Sequence, residues 1–223
     1  MTKYTELYKK GYFKDRGANP IREAMYAQEF ARLSKFIPKQ GKVLDIGCGL
    51  GEFLGLFNNN WQKYGTEISE HARSIARKSS VNFNVPKKLN FFDLIIFRGT
   101  IQHLNNPLGE MEKRINQLKP GGLMVFLATP NAGSIYYRIF QELPMLDAKR
   151  NFFIPSDKTL SHILHNFGLK VKEIYYPYLE TPYASPIKDH FYFILRLLGI
   201  NLAKHAFWGN IVEIYAQKSR SQG

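Results

Sequence analysis

The chain has 223 residues, and 31 Lys and Arg against 18 Asp and Glu give it a formal net charge of +13. Apolar residues at 44% and charged residues at 22% are ordinary globular proportions, which excludes a disordered chain, a collagen or a coiled coil. The single cysteine, Cys48, excludes a disulfide framework and a multi-cysteine metal site, while the charge excess invites a nucleic acid or an anionic membrane as partner.

The opening MTKYTELYKK lacks the apolar core of a secretory signal. No apolar run approaches the ~18 residues of a membrane span. With a lone cysteine, the expectation is a reduced, cytoplasmic compartment. Asn19-Pro20 has the form of an N-cap with proline at the first helical position. Tyr26, Phe30, Leu33 and Ile37 then recur at helical spacing up to Pro38. Residues 42–46 read as a strand entering the turn Gly47-Cys48-Gly49-Leu50-Gly51, with a helix expected over about 52–57. A second strand is expected at 63–67, a Ser69-capped helix burying Ala72, Ile75 and Ala76 after it, then strands at 81–85 and 92–97. Residues 107–118 form an amphipathic helix, Lys119-Pro120-Gly121-Gly122 a tight turn, and 123–128 a fifth strand. Ser156 or Asp157 caps a helix through Leu160, Ile163, Leu164 and Phe167 that Gly168 stops. Strands at 169–176 and 211–217 close the chain. This alternation predicts an α/β fold with a mostly parallel sheet in one domain, 1–223. Residues 131–155 and 177–207 interrupt it as insertions, the second carrying an apolar stripe of Phe191, Ile194, Leu195 and Leu198.

The glycine turn is the sharpest feature. Glycines at a strand-to-helix turn permit positive φ and close backbone approach to a ligand. The G-x-G-x-x-G dinucleotide fingerprint fails because Glu52 stands where its third glycine belongs, and no Gly-Lys-Ser/Thr follows. Glu52 at a helix start would also repel a pyrophosphate. Glu67, sixteen residues beyond Gly51 at the end of the second strand, stands where a carboxylate can accept two hydrogen bonds from a ribose diol.

Val43 to Gly51, Gly65-Thr66-Glu67-Ile68, Phe92-Asp93-Leu94-Ile95-Ile96 and Leu118-Lys119-Pro120-Gly121-Gly122 resemble, in order and spacing, the motifs of class I S-adenosylmethionine-dependent methyltransferases. The resemblance implies a Rossmann-like, doubly wound, seven-stranded sheet with helices on both faces and the last strand antiparallel. It implies that 42–130 is the cofactor-binding half; 1–41 is read as a helical lid or cap, in which Tyr8, Tyr12 and Phe13 either fold over the cofactor or pack the N-terminal helix. Gly47, Cys48, Gly49 and Gly51 would line the methionine part of S-adenosylmethionine. Asp45 would sit near its amino group, Glu67 would hold the ribose, Ile68 beside it would also belong to the cofactor site, and Arg98 and Gly99 would offer backbone groups to the amino acid end. The family's acid after the third strand is missing; Asn84 is the substitute there.

For a hydroxyl acceptor a base must remove a proton, and His103, after the fourth strand, is the residue for it; a His bonded to loop backbone is the alternative. Gln102 precedes it where metal-using relatives carry a carboxylate, so no metal is expected. His162 and His165 are expected to face solvent. The later segments loosely resemble methyltransferases of polysaccharide and lipid-linked saccharide synthesis, implying an O-methylated small-molecule or saccharide acceptor, anionic or lipid-linked. Tyr136, Tyr137, Phe140 and 175–183 offer rings for a sugar or for core packing. A nucleic acid is the less expected partner, because the basic residues form no run. An RNA-modifying enzyme and a non-catalytic cofactor-binding homologue remain the alternatives, and a monomer or homodimer fits either. The 188–198 helix is expected to lie over the sheet edge, form a dimer interface or rest on an anionic membrane.

Overall fold

The computed structural model describes residues 20–143, 146, 151–181, 184–200 and 205–220. Six strands form one sheet: β1 (Gly41–Ile46), β2 (Trp61–Thr66), β3 (Phe92–Arg98), β4 (Leu118–Pro130), β5 (Leu169–Tyr175) and β6 (Ile211–Lys218). Their order is β2-β1-β3-β4-β6-β5. Strands β1 to β4 pair in parallel, and β6 runs antiparallel between β4 and β5. This is the expected α/β fold with its last strand reversed.

The expected strand at 81–85 is reduced to one bridge, Tyr64 with Asn82. Asn82 Oδ1 accepts the Asn84 N–H at 2.8 Å, a local turn that bends the chain off the sheet edge, and Pro86 removes the next donor. Six strands therefore stand among the described residues where seven were expected. The expected helix at 52–57 is a single turn closed by Gly55 N–H to Gly51 O at 2.9 Å, passing into a 3-10 turn at Leu54–Leu56. Gly51 and Gly55 are poor helix formers, and burial of Phe53, Leu54 and Phe57 holds the segment instead. The turn at 119–122 is absorbed into β4 as a bulge, since the register with β3 jumps from Leu118 to Leu123, with Gly121 at φ +77°.

Period-two alternation sorts the sheet into two cores. Leu44, Ile95, Phe97, Met124 and Ile214 face one side with α3 (Pro107–Gln117) and α5 (Asp157–Asn166). Phe97 and Phe126 stack there at 5.1 Å. Val43, Leu94, Ile96, Val125 and Tyr215 face the other side, with Leu33 of α1 (Pro20–Leu33) and Ala76 of α2 (Glu70–Ala76). Helices α2, α3 and α5 start on side-chain caps, with Ser69, Asn106 and Ser156 accepting from Ala72, Gly109 and Thr159 N–H. Helix α1 stops at Leu33, before Pro38, where Ser34 Oγ turns back to Ala31 O at 2.8 Å.

Helix α1 is fastened to the sheet by charge. Arg32 donates to both Glu213 carboxylate oxygens on β6, at 2.6 and 3.0 Å, and Tyr215 OH donates to the same group at 2.7 Å. The two insertions pack on each other. Tyr136 of α4 (Ile135–Phe140) meets Phe193 of α6 (Pro186–Leu197) at 6.1 Å, and Phe207 stacks on Phe193 at 4.3 Å.

Candidate functional site

The chain winds from β1 outward to β2, then returns past β1 to β3. Strand order therefore reverses between β1 and β3, and a crevice opens beyond their carboxyl ends. Asp45 and the glycine turn leave β1 there; Arg98 and Gly99 leave β3 beside them. Gly47, Gly49 and Gly51 sit at φ +76°, +55° and +78°, a region L side chains avoid. A Cβ on Gly47 would come within 2.8 Å of the Thr100 side chain, and one on Gly51 within 2.9 Å of Ala76 Cβ. Thr66 O accepts from the Gly47 and Cys48 N–H groups at 2.9 and 3.0 Å. The Glu67 carboxylate takes Gly49 N–H at 3.0 Å on one oxygen and Ser69 N–H at 2.8 Å on the other. One carboxylate thus fixes the glycine turn and the start of α2 together.

A cavity opens between the glycine turn and α1, bounded by Asp45, Glu52, Arg98 and Tyr26. Asp45 is 2% exposed, and its Oδ1 has no hydrogen-bond partner among the described residues. Burial pushes its carboxyl up to about 7, with the Glu67 and Glu29 charges adding to the effect and Arg98 opposing it. Arg98 is already neutralised. Its Nε and Nη2 donate to the buried Glu29 of α1 at 2.6 and 3.2 Å, and its guanidinium lies 4.1 Å over the Tyr26 ring. Burial alone would lower the Arg98 pKa; the Glu29 carboxylate more than reverses this and raises it. Burial raises that of Glu29 against the pull of Arg98. With Arg98 paired, Asp45 and Glu52 leave the lining acidic, which suits a cation and disfavours a phosphate.

Comparison with known proteins gives the chain a family. A family model described as "Methyltransferase domain" matches residues 19–174. The chain belongs to that methyltransferase family. It is 24% identical over 178 residues to a tRNA U34 carboxymethyltransferase of Desulfotalea psychrophila, across 72% of this chain and 56% of that protein. It is 27% identical over 184 residues to a phosphoethanolamine N-methyltransferase of Triticum aestivum, across 74% of this chain and 34% of that one. The chain thus spans about half or less of the length of these two relatives. In fold it is similar to a Haloferax volcanii methyltransferase solved with the Trm112 activator, at a TM-score of 0.66 and 13% identity, covering 99% of both chains.

The methyltransferase residues expected from the sequence gather unevenly. Asp45, Gly47, Cys48, Gly49 and Arg98 line the cavity, and Gly51, Glu67 and Gly99 do not. A Cβ on Gly65 would fall 2.6 Å from Cys48 Sγ, so the thiol fills the space that glycine leaves on β2, and burial raises its pKa. Ile68 is exposed, and so is Asn84, whose segment is no longer a strand. His103 sits half-buried in a 3-10 turn at Ile101–His103, with its backbone N–H on Thr100 O at 2.8 Å, and does not line the cavity. The lid residues Tyr8, Tyr12 and Phe13 lie outside the described residues. His162 and His165 are exposed as expected.

Of the two readings of the aromatic rings, Tyr136 and Tyr178 take core packing. Tyr136 is fully buried and Tyr178 is 2% exposed, so neither offers a face to a sugar. Both fill the core between the insertions, each with its hydroxyl bonded, Tyr136 to Arg196 and Tyr178 to Asp189. The sequence reading missed Glu29, the partner that fixes Arg98. Its signal was present, as an acid on the face of α1 otherwise made by Tyr26, Phe30 and Leu33.

No group of three or more His, Cys, Asp and Glu that would hold a metal occurs among the described residues. An uncompensated buried carboxylate oxygen, a glycine cradle and an acidic lining fit S-adenosylmethionine, the methyl donor of this family, whose sulfonium and ammonium are both cationic.

Proposed function

We propose that the chain transfers the methyl group of S-adenosylmethionine to a hydroxyl of a small-molecule or saccharide acceptor, lipid-linked forms included. The observation that carries this reading is the acid-lined cavity in which the one cation, Arg98, is already paired with Glu29. Asp45 accepts from the ammonium of the cofactor's amino acid end. The glycine turn brings backbone against that end, with Arg98 and Gly99 opposite. Glu67, each of whose oxygens holds one loop N–H, accepts the ribose hydroxyls with its remaining lone pairs. Ile68 lends an apolar surface to the adenine, and Asn84 an amide in place of the usual acid.

Bound there, the cofactor supplies a methyl group already activated on sulfur, so the protein needs chiefly to orient the acceptor and exclude water. His103 takes the acceptor's hydroxyl proton on a ring nitrogen. Its turn is braced from the insertion side, where Gln102 O accepts the N–H groups of Phe152 and Phe153 at 2.8 and 3.3 Å. Residues 131–155 and 177–207 form the walls of the acceptor side in this reading. An RNA acceptor is the second reading, supported by the +13 charge and by the name of the Desulfotalea relative.

Calorimetry with S-adenosylhomocysteine tests the cofactor assignment; Glu67→Ala is expected to weaken binding, and equal affinity of the two proteins refutes the ribose role. Against a panel of saccharide acceptors, His103→Ala is expected to lose about 10² to 10⁴ in turnover with cofactor affinity unchanged. Steeply salt-dependent tRNA binding, together with inactivity on the saccharides, would decide for the second reading.

A further inference from the structure

Helix α6 turns its polar Asp189 and Arg196 inward, beside Phe193, which stacks on Phe207. Asp189 is 3% exposed and accepts the Tyr178 OH and the Ser185 N–H, both at 2.7 Å. Arg196, one helical face with Asp189, donates to Tyr136 OH at 2.7 Å, pairs with Glu142 and lies 4.5 Å over the Phe140 ring. The outward stripe is apolar. Ile187, Phe191, Ile194 and Leu198 recur at helical spacing and are 88%, 56%, 56% and 71% exposed. Leu197 and Ile200 widen it, and the turn stacked on α6 through Phe207 exposes Trp208. A contiguous patch of this kind is a contact surface awaiting a low-polarity partner.

Charge selects the partner. Asp189 is the only acid of α6 and is buried, while Lys188 and His190 are exposed on the flank of the stripe. A second copy of the chain carries the same net charge of +13 and would set its own Lys188 against this face. An anionic lipid surface instead offers apolar depth and opposite charge together.

We infer that the outward face of α6 docks the enzyme on an anionic bilayer, with Ile187, Phe191, Ile194 and Leu198 entering the headgroup boundary. No helix among the described residues is long and apolar enough to cross a membrane, so the contact is peripheral. The inference stands on α6 alone and is independent of which acceptor is methylated.

Co-sedimentation of the full chain with vesicles of equal parts phosphatidylglycerol and phosphatidylcholine tests it. Wild type is expected to bind these vesicles and to leave pure phosphatidylcholine vesicles largely unbound. Phe191→Ser with Ile194→Ser is expected to lower partitioning about a hundredfold, at roughly tenfold per side chain. Because both side chains already face solvent, the melting temperature and the S-adenosylhomocysteine affinity of this variant should stay at wild-type values, which certifies the fold. Failure of wild type to bind, or equal binding by a folded double variant, overturns the proposal. So does a wild-type dimer in sedimentation velocity that the double variant dissociates, since the face is then covered by a second copy.

Discussion

The glycine-turn cavity and helix α6 leave opposite interactions unmade. At the cavity a charge is left over, in that Asp45 keeps a carboxylate oxygen without a hydrogen-bond partner among the described residues. On α6 the inward Asp189 and Arg196 are bonded and an outward stripe of apolar side chains is left over. A buried, uncompensated carboxylate costs free energy until a cation reaches it. An exposed apolar stripe costs much less, because solvent-facing Leu and Ile lose burial without breaking hydrogen bonds. The first defect is therefore affordable only at one enclosed spot where ligand binding removes it. The second can spread over a whole helix.

The comparison is broken most severely by Glu29→Ala. That substitution leaves the Arg98 guanidinium buried without its carboxylate, and removing one partner of such a pair costs about 3–5 kcal/mol. A fall of that size in the urea-derived stability is expected, with weakened S-adenosylhomocysteine binding; unchanged stability would mean the pair is not buried in solution.

Asp45→Asn inverts the usual outcome. The folded carboxyl titrates at about 7, above its ordinary 3.8, so the folded state holds its proton more tightly than the unfolded chain. Stability from this group is complete below about pH 4 and is lost as pH rises through 7. Removing the charge should thus raise the stability of the cofactor-free protein above pH 7, by up to about 4 kcal/mol at 1.36 kcal/mol per unit, and change it little at pH 4. Cofactor affinity of wild type should rise as pH climbs through 7, since only the ionised group receives an ammonium; the Asn variant should bind weakly and without that dependence. Melting curves and calorimetry across this range check both halves.

Within α6 the contrast can be measured on one element. Asp189→Ala strands the Tyr178 hydroxyl and the Ser185 N–H and should cost about 1–3 kcal/mol. Ile187→Ser, on the opposite face, should stay within about 0.5 kcal/mol of wild type in the absence of lipid. Equal costs for the two would show that the helix is not seated with its polar side inward.

Much of the cofactor half was legible in the chain itself. The glycine turn, the strand before it, Glu67 one unit later and the order of the motifs lead to the α/β fold and to the cavity wall, because each is a local demand. A positive φ requires glycine, and an N-cap requires Ser, Thr, Asp or Asn. The strand at 81–85 and the helix at 52–57 were less legible. There, Asn82 and Asn84 turn the chain, and Gly51 and Gly55 weaken the helix, so the local signal is divided between two outcomes.

Sequence alone determined where α6 lies and that it carries an apolar stripe. It could not give that stripe a direction, since periodicity repeats identically whether the stripe faces in or out. Tertiary structure decided it, by bringing Tyr136, Glu142 and Tyr178 to the side where Asp189 and Arg196 find partners. It also decided that Arg98 is met by Glu29, 69 residues earlier, and so turned a surplus cation into half of a neutral pair. Backbone demands are met within a few residues and can be read there. The neutralisation of a buried charge depends on which distant side chain the fold delivers, and no local pattern specifies that.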